Sequence, residues 1–159
     1  MKLSKSLIGI IAAVVIIGGW AVSAYNSMVG EQEKATTAFA NVQSAYQRRA
    51  DLIPNLVETV KGYASHERET LEGVVNARSK ATQMTVDPEN LTPEKLQEYQ
   101  KAQGELGAAL GRLIAISESY PDLKANENFR DLQVQLEGTE NRINEARNKF
   151  NEVVQQYND

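Results

Sequence analysis

The chain has 159 residues, no cysteine, and 17 basic against 21 acidic side chains, a formal charge of −4. That length is enough for one domain with its own core beside a membrane segment, and the missing cysteines exclude a disulfide framework or a thiolate metal site. No basic stripe with interleaved aromatics appears, so nucleic acid is not an expected partner.

The first five residues, MKLSK, form a short basic tail. From Ser6 to Gly30 there is no charged residue, and the apolar portion from Leu7 to Tyr25 would measure about 28 Å as a helix, close to a hydrocarbon thickness of about 30 Å. Residues 6–25 are therefore predicted to cross a lipid bilayer, anchored by Leu7, Ile8, Ile10, Ile11, Val14, Val15, Ile16, Ile17 and Trp20. A cleaved signal sequence competes with this reading, because Val22-Ser23-Ala24 offers small residues where a peptidase cuts after Ala24. The anchor is preferred because the run exceeds the roughly 7–15 residues of a signal core, and because Trp20 and Tyr25 sit near one end like interfacial aromatics. Lys2 and Lys5 precede the run and only Lys34 lies just beyond it, a bias that puts the domain outside the cytoplasm. Gly9 and Ala13 are spaced for close helix pairing, a pattern that ordinary lipid-facing residues also produce.

Residues 26–159 read as one helical domain, in which 15 basic residues face 21 acidic ones, a formal −6. Met28, Gln32, Ala35, Phe39, Val42 and Tyr46 recur at three- and four-residue intervals, the mark of an amphipathic helix, with Gly30 the one weak breaker between it and the span. Pro54 lacks an N–H and disfavours helix at Ile53, so a new or sharply kinked helix is expected there, capped by Asp51. Its stripe of Ile53, Leu56, Val57, Val60, Tyr63, Ala64, Leu71, Val74 and Val75 runs to about Thr82, before a polar stretch containing Pro88.

A third helix opens on Thr92 as cap, Pro93 in the first turn and Leu91 stapled to Leu96; its inner face is Leu96, Tyr99, Leu106, Leu110, Leu113 and Tyr120, and Pro121 ends it. The fourth starts near Asn126 or Asn128 and presents Phe129, Leu132, Leu136, Ile143, Ala146, Phe150, Val153 and Tyr157. No strand pattern, repeat or glycine-rich linker appears. Stripes on adjacent helices bury one another, so the predicted fold is all-α: an N-terminal transmembrane helix followed by a long antiparallel four-helix bundle.

Catalytic chemistry finds little support. His66 is the single histidine, and HERET at 66–70 has Thr70 where a zinc helix needs its second histidine. A di-iron centre needs Glu-x-x-His, and Tyr63 stands three before His66. The carboxylates fall on polar faces rather than around a pocket. Neither enzyme activity nor a cofactor or metal is expected.

Two surface features stand out. Arg48, Arg49 and Lys61, with Asp51, Asn55 and His66 on the same stretch, form a candidate interaction patch for head groups; the preferred reading instead pairs the arginines with Asp51, Glu58 or a carboxylate on a neighbouring helix, orienting the bend at Pro54. Gly104, Gly107 and Gly111, with Ala108 and Ala115, leave one side of the third helix bare. Each glycine costs about 1 kcal/mol, so close packing against a helix of the same bundle or of another subunit is expected.

The stretches QRRADLIPNLVETVKGYASHE at 47–67, NAR at 76–78, YPDLKANENFRDLQ at 120–133 and LEGTENRINEARNKFNEVVQQYN at 136–158 together resemble the LemA family. The resemblance covers most of the chain from Tyr25 to Asn158. It implies a membrane-anchored four-helix bundle without an established enzymatic activity. Some family members belong to the proteins that build bacterial magnetosome membranes, and others are encoded beside membrane proteases. Many continue past Tyr157-Asn158 with a tail containing Phe-Pro, whereas this sequence ends at Asp159. Family descriptions place the short N-terminus outside the cell, opposite to the lysine bias here. Residues and resemblance together lead to the expectation of a self-associating scaffold that organises or remodels a bacterial membrane, with an accessory or adaptor subunit of a membrane protease or envelope-stress complex as the second reading.

Overall fold

The computed structural model describes residues 4–159; Lys2 and the rest of the basic tail before Ser4 lie outside the described residues. The chain is helical almost throughout, with no strand among the described residues. Helix α1 runs unbroken from Lys5 to Lys61, its start capped by the Ser4 hydroxyl, which accepts from the Leu7 amide at 3.3 Å. At about 1.5 Å per residue it is about 85 Å long. Next come α2 (Arg68–Gln83), a 3-10 turn at Pro88–Asn90, α3 (Pro93–Ile116), a second 3-10 turn at Ser117–Ser119, a short α4 (Pro121–Ala125) and α5 (Glu127–Asn158).

Two boundaries differ from the sequence expectation. Pro54 lies inside α1 and neither starts nor ends a helix. Proline removes the N–H that would meet the carbonyl four residues back, and here the Arg78 side chain takes over: its Nε donates to the Ala50 carbonyl at 2.9 Å. A part-buried guanidinium from α2 thus supplies the missing donor. The real break comes at Gly62–Glu67, where turn-type bonds from Tyr63 and Ala64 to the Val60 carbonyl close the helix. The second difference is at Pro121, which opens α4, while α3 already ends at Ile116; the Ser117 hydroxyl turns back onto the Ile114 carbonyl at 2.7 Å.

Elsewhere the caps form as read. Thr92 Oγ1 accepts from the Lys95 amide at 3.3 Å, with Pro93 in the first turn, and Asn126 Oδ1 accepts from the Phe129 amide at 2.9 Å. The Asp87 carboxylate accepts from the Glu89 amide and the Asn90 side chain, which holds its pKa below the ordinary value.

Packing follows the stripes. Helix α1 meets α5 with Phe39 against Phe150 near one end and Thr59 bonded to Asn128 near the other, so the two run in opposite directions. Helix α2 turns back along α1, and α3 turns back along α2, with Lys80 pairing Glu105 and Tyr120 reaching Glu67. The core divides in two. One cluster gathers Phe39, Val42, Tyr46, Tyr99, Ile143, Phe150 and Val153; the other holds Ile53, Leu56, Val60, Leu71, Val74, Leu106, Leu113, Phe129 and Leu132. Each of these large side chains contributes about 1.5–3 kcal/mol on burial. Between the clusters along α1 and α3 lies a polar layer of Arg49 and Gln103, with Glu140 at its edge.

Candidate membrane and interaction surfaces

The first half of α1 has no partner among the described residues. From Leu7 (44 % exposed) to Trp20 (73 % exposed), all nine predicted anchor residues project from a bare helix. This segment is long and apolar enough to cross a membrane, and none of it is buried inside the fold. Exposed apolar side chains continue through Val22, Tyr25, Met28 and Val29, so the naked surface reaches slightly past the predicted span.

The six residues of the candidate patch are not brought together. Arg49 is 3 % exposed and points into the polar layer, away from its neighbour Arg48. Its Nη2 donates to the Gln103 carbonyl at 2.7 Å and to Gln103 Oε1 at 3.0 Å, its Nη1 reaches Glu140 at 3.2 Å, and its guanidinium lies 5.0 Å from the Tyr46 ring centroid. Arg49 is therefore a tie between α1, α3 and α5, and its pairing with Glu140 is the neighbouring-helix carboxylate contact expected from the sequence. A charged group of this kind needs most of its donors met, and only Nε is left buried without a partner. Arg48, Asp51, Asn55, Lys61 and His66 are exposed, but they spread along the helix: Lys61 lies about 20 Å beyond Arg48 and roughly 220° around the axis. Asp51 accepts from Gln47 at 2.8 Å, and His66 sits in the open connection before α2. Arg48 is also about 28 Å along α1 from Val29, beyond a Debye length, which removes the reason for assigning it to the head groups of the membrane α1 would enter.

The glycines on α3 divide. Only Gly107 is closely approached: a Cβ there would stand 3.4 Å from Arg49 Nη1, so the missing side chain makes room for the guanidinium. Gly104 and Gly111 have nothing within 4 Å of a Cβ position, so close packing within this chain does not account for them. Gly107 and Gly111 instead border a groove of about 490 Å³ between α3 and α5 whose floor includes Leu110 and Leu136.

Three participants in this architecture carried no functional signal in the sequence: Arg78, Gln103 and Glu140. Arg78 stands in the NAR stretch at 76–78 that carries the family resemblance, and Pro54 points to its role, since an in-helix proline leaves the carbonyl of residue 50 needing a donor. Among the described residues no three His, Asp or Glu side chains converge as a metal site requires.

The helical domain that follows the apolar half-helix is matched by the comparison with known proteins. The profile of the LemA family covers residues 38–159. The chain belongs to the LemA family. It is 25% identical over 133 residues to Protein LemA of Metamycoplasma hominis, covering 84% of this chain and 57% of that relative. It is 27% identical over 151 residues to Magnetosome protein MamQ of Magnetospirillum gryphiswaldense, covering 84% of this chain and 56% of the relative. Magnetosome protein MamQ 2 of Paramagnetospirillum magneticum is 25% identical over the same length. The chain thus spans little more than half the length of the curated relatives it matches.

Proposed function

We propose that this LemA family chain is a single-pass membrane protein, anchored by residues 6–25, whose domain at 26–159 forms an antiparallel four-helix bundle and serves as a non-catalytic scaffold. The carrying observation is the bare apolar half of α1, which has no partner in the fold and continues without a break into the helix that organises the core. A helix exposing this much apolar surface is stable in lipid and not in water. Similarity to proteins named for the magnetosome agrees with work at a membrane.

The scaffold acts through association. Its open α3–α5 groove and the glycines beside it leave a surface for a second copy, and the anchor confines copies to two dimensions, which raises their effective concentration. The lysine bias before the span supports a bundle outside the cytoplasm. Crosslinking and sedimentation of the full chain, in detergent and reconstituted in lipid, test the association: oligomers are expected, and a strict monomer at every concentration overturns it. Co-purification of a stoichiometric foreign membrane protein in place of self-association would instead make the chain an accessory subunit.

A further inference from the structure

Helix α5 carries opposite charge on its two flanks. On one side it borders α1 along a groove of about 380 Å³, where half-buried Ala45 and Ala146 lie between exposed Arg48, Arg142, Lys149 and Glu145. Three cations against one carboxylate stand out in a domain whose formal charge is −6. Neither Arg48 nor Arg142 has an ion-pair partner among the described residues, and Lys149 reaches only Glu152 of its own helix, at 3.4 Å.

On the other flank, the α3–α5 groove has Glu137 and Glu140 on its α5 rim, apolar Leu110 and Leu136 between the helices, and no cation in its lining. Arg49 engages one oxygen of Glu140 from inside the bundle, and the Glu140 side chain stays 42 % exposed. Glu137 is exposed and has no ion-pair partner among the described residues.

Helix geometry sets the two grooves back to back and nearly level. Lys149 and Glu140 are nine residues apart on α5, about 180° around the axis at about 100° per residue. Arg142 lies only about 3 Å along the axis from Glu140 and about 8 Å from Glu137. Arg48 adjoins Arg49, which bonds Glu140, so it stands near the same height.

These placements decide how copies can meet. Copies anchored in one bilayer by α1 stand parallel, so a two-fold pair would set a groove against itself, arginines on arginines or Glu137 on Glu137. Like charges so opposed disfavour association, whereas the cationic groove of one copy complements the acidic groove of the next. We propose that the α1–α5 groove docks the α3–α5 flank of a second copy, Arg48 and Arg142 of one chain pairing with Glu137 and Glu140 of its neighbour. The contact is heterologous: each copy keeps one groove open for the next, so rows or rings form and not closed pairs. The inference rests on the anchored, self-associating reading above and supplies the second face that association needs.

The chain has no cysteine, so introduced cysteines report single positions. Ser44→Cys marks the cationic groove and Asn141→Cys the acidic one. Full chains carrying one or the other are reconstituted together in phosphatidylcholine vesicles and treated with a short bismaleimide. The mixed product is expected, with each variant alone giving about tenfold less. Adding Arg48→Glu and Arg142→Glu to the Ser44→Cys chain is expected to lower the mixed yield about tenfold, and Glu137→Lys in the Asn141→Cys chain to restore it. Either variant crosslinking to itself as well as to the other overturns the head-to-tail contact. A mixed yield indifferent to the charge reversals overturns the pairing of arginines with carboxylates. Oligomers in sedimentation without any groove crosslink overturn this interface and leave self-association standing, whereas a strict monomer overturns both. Chain left behind when the vesicles are floated overturns the anchor.

Discussion

Ala50 is where the accounting of backbone donors is clearest. Its carbonyl is buried in an α1 turn that Pro54 leaves without a donor, and Arg78 Nε fills the gap at 2.9 Å. A buried carbonyl left unpaired costs about 1–3 kcal/mol, so Arg78→Met is expected to lower stability by about 1–2 kcal/mol in denaturant unfolding of the full chain in detergent. In a Pro54→Ala background the new amide meets Ala50 itself, and the same Arg78→Met change becomes nearly neutral. Equal costs in the two backgrounds would remove the coupling. Arg49 is the second such residue. Arg49→Ala deletes three side-chain hydrogen bonds and opens space beside Gly107, for an expected loss of about 2–4 kcal/mol by the same measurement. That an arginine here would pair with a carboxylate on a neighbouring helix was legible in the sequence; the Gln103 contacts of Arg49 and the Arg78 bond to Ala50 were not. A run of Arg48 and Arg49 looks like a solvated patch, and only the turn of α1 decides that one faces water and the other Gln103.

Tyr99 adds a pH signature at the same scale. Burial, with Tyr46 beside it, raises its hydroxyl pKa well above the ordinary value near 10. A raised folded-state pKa means that the native chain holds this proton more tightly than the unfolded chain. Its contribution is fully present below pH 10 and is lost as pH rises through the folded value. Unfolding followed at increasing pH is expected to show the wild type weakening above about pH 10, with a shallower fall in Tyr99→Phe. Parallel curves would contradict this.

At the level of elements, the apolar periodicities located the helices, and the caps located the starts of α3 and α5. Thr92→Ala is expected to cost about 0.5–2 kcal/mol in thermal or denaturant unfolding, as for an ordinary cap. Asn126→Ala is expected to cost more, because Asn126 Nδ2 also donates to the Tyr63 hydroxyl at 3.0 Å and ties α5 to the Gly62–Glu67 connection. The end of α1 was misplaced for a physical reason. Tyr63 and Ala64 keep helical spacing after Val60, and Ala64 is fully buried, so the apolar rhythm continues through a turn in which the backbone has left the helix. Pro54 misled in the opposite sense: a local rule against helix was overruled by a long-range donor. Thr139, buried between Leu136 and Ile143, also hid in the pattern. It fills a core position with its hydroxyl turned onto the Gln135 carbonyl at 2.8 Å, so a polar letter stands where an apolar one was looked for.

Considered whole, the chain carries a bare apolar segment and the centre of its core on one helix. Half of α1 is bare and apolar, the other half lies at the centre of both core clusters, and nothing interrupts the helix between them. An aqueous fold has no use for a bare half-helix of this length; a membrane protein does. In the anchored arrangement proposed above, the Gly62–Glu67 and Ser117–Asn126 connections stand at the end of the domain far from the apolar segment, and a groove bordered by Leu91 and Tyr157 at the near end. The claim on which this arrangement depends is that the apolar segment stays attached and embedded. Intact-mass spectrometry of the native product recovered from membranes washed with alkaline carbonate tests it most directly. The expected result is a chain in the membrane pellet that retains residues 6–25; a soluble product beginning at Tyr25 would contradict the account.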